Sequence, residues 1–289
     1  MSLIASIVID SVAYGMILFI ISVGLSITLG LMRFVNLAHG VFAVAGGYAA
    51  VFIASRSGLG YELSAVLAVL IVAAASVPLE AIFIRRLYKR SQLDQVLFTI
   101  GLVFVGTAGA GLLFGNSITP IALPSYLQGA VDIGFRVIPR QRLAALVVGL
   151  VVLAFLHWLL TKTRFGIEVK ATVDLPDASE ALGIRTSRVY SLAFALGAGL
   201  AALGGIVGAE LLPIDPYYPL KYLVAFLAVV SVGGAASPFG LLAAALLLGF
   251  IETTAKYFAS EYASMLFYIT MLAVLTWRPE GLFGRRESR

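Results

Sequence analysis

The sequence predicts an all-α, polytopic membrane protein with about eight to nine transmembrane helices, one or two of them broken or re-entrant. Of the 289 residues, 61% are hydrophobic and 12% are charged, whereas soluble domains contain roughly 45–50% and about 25%. The charged residues are also spaced so that eight long stretches contain none. One bilayer span needs roughly 20 apolar residues. We therefore expect residues 1–289 to form a single transmembrane domain.

The candidate spans are the stretches that lack Asp, Glu, Lys and Arg. They are Ser11–Met32, Phe34–Ser55, Leu63–Leu79, Gln95–Val131, Leu143–Thr161, Val189–Ala209, Tyr222–Ile251 and Tyr262–Trp277. The fourth stretch should end as a helix near Gly115, because Asn116, Pro120 and Pro124 follow and disfavour helix. We predict a periplasmic loop at 116–140.

The seventh stretch is about 30 residues long, more than one span needs. A cluster of helix-breaking residues lies in its middle, namely Gly233, Gly234, Pro238 and Gly240. The stretch should therefore form either two short helices or one broken helix that turns at this cluster.

Lys and Arg indicate the topology, because cytoplasmic loops carry an excess of positive charge. Three clusters hold 13 of the 20 basic residues: Arg85, Arg86, Lys89 and Arg90; Lys162, Arg164, Lys170, Arg185 and Arg188; and Arg278, Arg285, Arg286 and Arg289. If all three are cytoplasmic, Tyr222–Ile251 must cross twice or re-enter, and Lys221 and Lys256 are periplasmic. The C-terminus is then cytoplasmic. The side of the N-terminus stays open, since it depends on whether Phe34–Ser55 crosses fully. We attribute the net charge of +5 to topology and expect no nucleic-acid partner.

Several kinds of chemistry are excluded by composition. Cysteine is absent, and His39 and His157 are the only histidines, so we expect no metal site, no cofactor and no catalytic residue. A phosphate-binding Gly-x-x-x-x-Gly-Lys-Ser/Thr motif is also absent, so the chain should not bind ATP by itself. Gly24 and Ser26 match the loose Gly-x-Ser pattern of intramembrane proteases, but small residues at a helix interface explain the match. No stretch has an acidic residue at its centre, as proton-coupled transporters often do.

The polar segment 161–188 is predicted to be cytoplasmic from its charge. Within it, Pro176 and Asp177 can open a short helix that Gly183 ends. This helix would lie exposed across the membrane face. It could be an ordinary connector or a lever on which another protein acts.

Four segments resemble the LivH-type permeases of branched-chain amino acid ABC importers. They are Asn36-Leu37-Ala38-His39-Gly40, the Glu180-Ala181-Leu182-Gly183-Ile184 segment, the small-residue stretch Ala193–Gly205 and the tail Arg278–Arg285. The resemblance implies a multi-pass protein of the bacterial inner membrane, in contact with membrane lipid. It further implies a LivM-like second permease or a homologous copy, two cytoplasmic ATPases and a periplasmic substrate-binding protein as partners. The chain itself would not be an enzyme.

The resemblance and the positions of polar residues together indicate candidate sites. The segment that couples to an ATPase matches Asp177, Ala178, Ser179, Glu180, Ala181, Leu182, Gly183 and Ile184. Asn36, His39 and Gly40 are candidates for the translocation pathway, although the two polar side chains could equally hold helices together by hydrogen bonds. Glu210 and Asp215 flank a predicted periplasmic turn, where they would either receive the binding protein or only face solvent.

Departures from the family pattern leave the substrate open. Pro176 stands where a helix-compatible residue is usual, so the coupling helix is expected to start after it. Ile214–Pro219 carries an Asp and two Tyr in place of a plainer Asn-Pro stretch. Branched-chain amino acids are the family default, and urea, amides and aromatic acids are the alternatives. An ion-coupled secondary transporter with broken helices is the alternative of a different class.

Overall fold

The computed structural model describes residues 2–32, 34–132, 134, 137–234 and 237–283. The helices are α1 (Ser2–Met32), α2 (His39–Ser57), α3 (Tyr61–Ile82), α4 (Gln92–Phe114), α5 (Arg140–Lys162), α6 (Arg164–Asp174), α7 (Pro176–Ala181), α8 (Thr186–Gly208), α9 (Tyr218–Gly233), α10 (Pro238–Phe258) and α11 (Ala263–Trp277). Seven of these helices are long and apolar enough to cross a membrane, and α9 is a shorter apolar helix. The predicted class of all-α polytopic membrane protein is therefore confirmed.

Each uncharged stretch forms helix. The first six correspond to α1, α2, α3, α4, α5 and α8, the seventh contains most of both α9 and α10, and the eighth forms the 15-residue α11. Helix is the expected structure, because in the water-free interior of a bilayer a helix pairs the backbone N–H and C=O groups within the segment itself. As expected, α4 ends at Phe114, and Gly115 follows with a φ of 81° that favours glycine.

Segment 116–140 contains a small hairpin in addition to the expected loop. Strand β1 (Ala130–Asp132) pairs antiparallel with β2 (Val137–Pro139), with Val131 opposite Ile138. The β-branched residues of the two strands favour this extended pairing. The hairpin lies on the surface and does not change the helical architecture.

The centre of the molecule is the pair α1 and α8, which run antiparallel. A Cβ added at Gly24 would lie 2.5 Å from the carbonyl oxygen of Gly197, and one added at Gly208 would lie 2.5 Å from Ile17 Cγ2. Helix α2 also packs closely on α8, because a Cβ added at Gly205 would lie 2.1 Å from the carbonyl oxygen of Ala43. Such close backbone approach is typical of helix packing in membranes.

Helices α1, α5 and α10 meet at one end of the bundle. Arg142, at the start of α5, forms an ion pair with Asp10 of α1. The hydroxyl of Tyr257, at the end of α10, donates to Asp10 at 2.5 Å. Lys221 and Lys256 line a common cavity at this same end. The start of α1 therefore lies at the same end as these two lysines. We call it the opposite end, because it lies opposite to the end that carries α6 and α7.

The remaining polar segments meet at the other end, called here the α6–α7 end. The ring of His157, near the end of α5, lies 5.5 Å from that of Phe239 at the start of α10. The N–H of Leu282, in the tail after α11, donates to the carbonyl of Val232 at 2.7 Å. The turn between α9 and α10 and the tail 278–283 therefore share an end with α6 and α7.

Candidate translocation and coupling sites

The predicted coupling residues lie together on α7 and the turn that follows it. The helix begins at Pro176 itself, so the expected later start is wrong; proline is tolerated in the first turn because that N–H has no helical partner. Asp177 lies in the same turn, where a negative charge is favourable. Gly183 follows the helix with a φ of 87°, which favours glycine over other residues.

The outer surface of α7 is open, whereas its inner side is tied to α8. Leu182 is 83% exposed, whereas Ser179 is buried. The N–H of Ile184 donates to the Ser179 carbonyl at 3.0 Å. The Thr186 hydroxyl, in the first turn of α8, donates to the Glu180 carboxylate. Helix α7 thus presents an exposed apolar tip on a turn that is fastened to α8.

The candidate pathway residues lie where α2 begins, deep in the bundle. Nε2–H of His39 donates to the carbonyl of Ile21 at 2.9 Å. Ile21 lies roughly 16 Å before the end of α1. Residues 34–38 therefore run as a non-helical segment from the α6–α7 end to the middle of the molecule. Asn36 and His39 are both 1% exposed.

Buried polar atoms at this position lack partners. Among the residues that the structure describes, neither the oxygen nor the nitrogen of the Asn36 amide has a hydrogen-bond partner, and Nδ1 of His39 has none. Buried polar groups in proteins are normally paired, and unpaired ones require an explanation. The structure thus shows one of the two hydrogen bonds that the His39 ring can make and none for the Asn36 side chain.

The start of α9 adjoins the start of α2. A Cβ added at Gly40 would lie 2.8 Å from the Cα of Pro219, so these two backbones are in close contact. Tyr218 is fully buried, and its hydroxyl has no hydrogen-bond partner within the described part of the chain. The sequence contained a signal for this contact, because the unusual segment Ile214–Pro219 precedes α9 directly.

The two acidic residues near this segment differ in their surroundings. Asp215 accepts a hydrogen bond from the N–H of Tyr217 at 2.8 Å, and its carboxylate lies 3.9 Å from Nζ of Lys221. Glu210 is exposed. Asp215 therefore stabilises the turn before α9, whereas Glu210 faces outward at the opposite end.

The breaker cluster forms the turn between α9 and α10. Helix α9 ends at Gly233, Gly234 has a φ of 83°, and α10 begins at Pro238. A Cβ added at Gly240 would lie 2.3 Å from the carbonyl oxygen of Gly233, so the glycines allow the two helices to meet. Residues 235 and 236 lie outside the described residues.

The chain matches the protein family described as "Branched-chain amino acid transport system / permease component" over residues 7–275. It belongs to this permease family. It is 27% identical to the high-affinity branched-chain amino acid transport system permease protein LivH of Salmonella typhimurium, over 96% of this chain and 94% of the relative. It is also 27% identical to BraD of Pseudomonas aeruginosa, over 93% and 92% of the two chains, and 24% identical to a probable LivH of Methanocaldococcus jannaschii, over 95% and 90%. No solved structure matches the chain.

The permease contains a polar cluster that the sequence analysis did not find. Glu80, at the end of α3, is fully buried. Its carboxylate accepts hydrogen bonds from Arg85 at 2.9 and 3.2 Å, from the Tyr88 hydroxyl at 2.9 Å and from the Ser191 hydroxyl at 2.6 Å. The only signal in the sequence was an acidic residue at the edge of an apolar stretch, five residues before an arginine.

Electrostatics keep two of these donors protonated. The hydrogen bond to the Glu80 carboxylate raises the pKa of Arg85 above its ordinary value. Burial, together with the nearby carboxylate, raises the pKa of the Tyr88 hydroxyl well above its ordinary value. Both groups therefore remain donors at neutral pH.

An apolar groove of about 630 Å³ runs between α2 and α4 of the permease. It is lined by residues such as Val44, Tyr48, Gly109 and Leu113. Leu112 and Leu113, near the end of α4, are largely exposed, so the described residues leave this part of the α4 surface uncovered. Among the described residues, no group of His, Asp and Glu could hold a metal ion.

Proposed function

We propose that this permease is the membrane subunit of an ATP-driven importer for branched-chain or related amino acids. The single observation that carries the proposal is α7, a short exposed helix that is followed directly by the exposed Leu182 and is fastened to α8. A protein outside the membrane can bind and displace a helix of this kind, and the attached helix α8 would then move with it. The names of the relatives support the choice of substrate.

The two ATPases would dock at the α6–α7 end, on residues 177–184. The basic clusters Arg85–Arg90 and Lys162–Arg188 support a cytoplasmic side for this end. By the same argument the tail 278–283 is cytoplasmic. The bacterial relatives support the bacterial inner membrane as the location of the protein. ATP hydrolysis would be the work of these separate subunits.

The second permease would pack against the groove between α2 and α4, which is apolar and open. It could be a LivM-like chain or a second copy of this one. The substrate-binding protein would dock at the opposite end, where Glu210 is exposed near Asp215. Acidic residues there would suit a basic surface on that protein.

The substrate would pass near Asn36, His39 and Gly40. Unpaired amide atoms on Asn36 support this proposal, because a passing substrate or water can form the hydrogen bonds that the resting protein lacks. Weak polar contacts are sufficient in an importer whose binding protein selects the substrate.

The experiment is uptake into proteoliposomes that contain the complex purified from its source with its ATPases, supplied with binding protein and labelled L-leucine. We expect uptake into those proteoliposomes whose ATPase subunits face the lumen. This uptake should require ATP enclosed in the lumen, and ionophores should not affect it. Uptake driven by an ion gradient without ATP would refute the proposal in favour of a secondary transporter. ATP-driven uptake of labelled urea, an amide or L-phenylalanine without uptake of L-leucine would refute the branched-chain assignment alone.

A further inference from the structure

Glu80 joins three parts of the chain at the α6–α7 end. Its carboxylate belongs to α3, two of its donors, Arg85 and Tyr88, lie in the turn before α4, and the third donor, Ser191, lies on α8. Arg85 also donates to the Ser191 hydroxyl at 2.6 Å. A fully buried carboxylate is tolerated only when donors surround it. The three parts must therefore keep their relative positions. If one of them moves, Glu80 must find other hydrogen-bond donors at the same time.

One side of this cluster is connected to α7. The Thr186 hydroxyl donates to Glu180, so the start of α8 is attached to α7. Ser191 follows five residues later in the same continuous helix. Since an α-helix is stiff over this length, a displacement of α7 shifts Ser191 relative to Glu80.

The other side of the cluster is connected to the segment that precedes α2. The ring of Tyr88 packs edge-on against Phe34, with centroids 5.6 Å apart. The buried amide of Gln95 donates to the Leu87 carbonyl at 3.1 Å and accepts from the N–H of Val35 at 3.2 Å. Gln95 therefore ties the turn that carries Tyr88 to the residue directly before Asn36.

We infer that Glu80 is a positioning residue that transmits movement of α7 and α8 to the segment 34–38, and through it to Asn36 and His39. The inference rests on the proposed function, because it takes α7 as the point where an ATPase acts. Charge is essential to this role: a carboxylate holds Arg85, Tyr88 and Ser191 at one point, whereas a neutral amide has one acceptor and brings donors of its own.

The first test is Glu80→Gln in the reconstituted complex, with the number of ATP molecules hydrolysed per L-leucine moved as the readout. We expect this ratio to rise by about 3-fold to 30-fold, while hydrolysis itself continues. Glu62→Gln is the matched control, because it makes the same change at an exposed position at the start of α3. Ser191→Ala removes one donor but leaves the carboxylate paired, and should raise the ratio less.

The second test follows distances by spin labels, which the absence of cysteine makes straightforward. One label pair joins Leu182 and Tyr217, and another joins Leu37 and Tyr217, each introduced as cysteines. In the unaltered background both distances should change when ATP binds. In Glu80→Gln the Leu182 distance should still change, and the Leu37 distance should not.

The possible results separate the two proposals. An unchanged coupling ratio in Glu80→Gln, or a Leu37 distance that responds to ATP as it does with Glu80 present, would overturn the role of Glu80. A complex with Glu80 intact that hydrolyses ATP but moves neither L-leucine nor urea, an amide or L-phenylalanine would instead overturn the proposed function. Ser191→Ala keeps the inference testable if Glu80→Gln does not fold.

Discussion

Gly205→Ala should separate α2 from α8 and destabilise the protein. A Cβ at position 205 would lie 2.1 Å from the carbonyl oxygen of Ala43 and 3.1 Å from its Cα. Ordinary contact begins near 3.4 Å, so α2 must move by about 1.3 Å. The obstructing atoms belong to the backbone and cannot rotate away. Overpacking of this kind costs about 1–3 kcal/mol.

Gly199→Ala, on the same helix, is the matched control. A Cβ there would meet Ala73 Cβ at 3.4 Å, which is an ordinary contact. Both variants gain the same intrinsic helix propensity, about 1 kcal/mol for Gly to Ala. The difference between the two variants therefore isolates the effect of the close approach at Gly205.

The assay is thermal unfolding of the purified permease in detergent, together with transport by the reconstituted complex. Gly205→Ala should unfold at a lower temperature than Gly199→Ala, and it should transport more slowly because α2 begins at His39. Equal unfolding temperatures for the two variants would show that α2 and α8 do not pack as closely as the structure has them.

Three further predictions concern the proposed sites. Gly183→Pro should uncouple ATP hydrolysis from transport without loss of the permease from the membrane, since proline cannot adopt a φ of 87°; normal transport by this variant would argue against α7 as the coupling helix. Asn36→Leu should slow transport severalfold with little effect on assembly, and a variant that transports normally would exclude Asn36 from the pathway. Membrane-impermeant thiol reagents should label Lys221→Cys only from the periplasm and Leu182→Cys only from the cytoplasm, and labelling of both from one side would contradict the topology.

The sequence alone determined that the uncharged stretches form helices and where several of them end, but it did not show helix α6 in the polar segment 161–188. Lipid offers no hydrogen-bond partners to backbone N–H and C=O groups, and a helix pairs these groups within the segment. Charges then mark the ends of the helices, and single residues with special conformations, such as Gly115 and Gly183, mark the turns. Membership of the permease family was also evident from short segments in a fixed order.

The tertiary structure decided which residues are neighbours. Parity of crossings predicts that Lys221 and Lys256 lie on one side of the membrane, but only the packed bundle brings them to one cavity beside the start of α1. The neighbours of Glu80 likewise became evident only in the structure, because in the sequence Glu80 is simply the charged residue that follows the uncharged stretch Leu63–Leu79. Its partner Ser191 lies 111 residues away. Contacts of this range depend on how small residues let helices approach, and a uniformly apolar sequence allows many such arrangements.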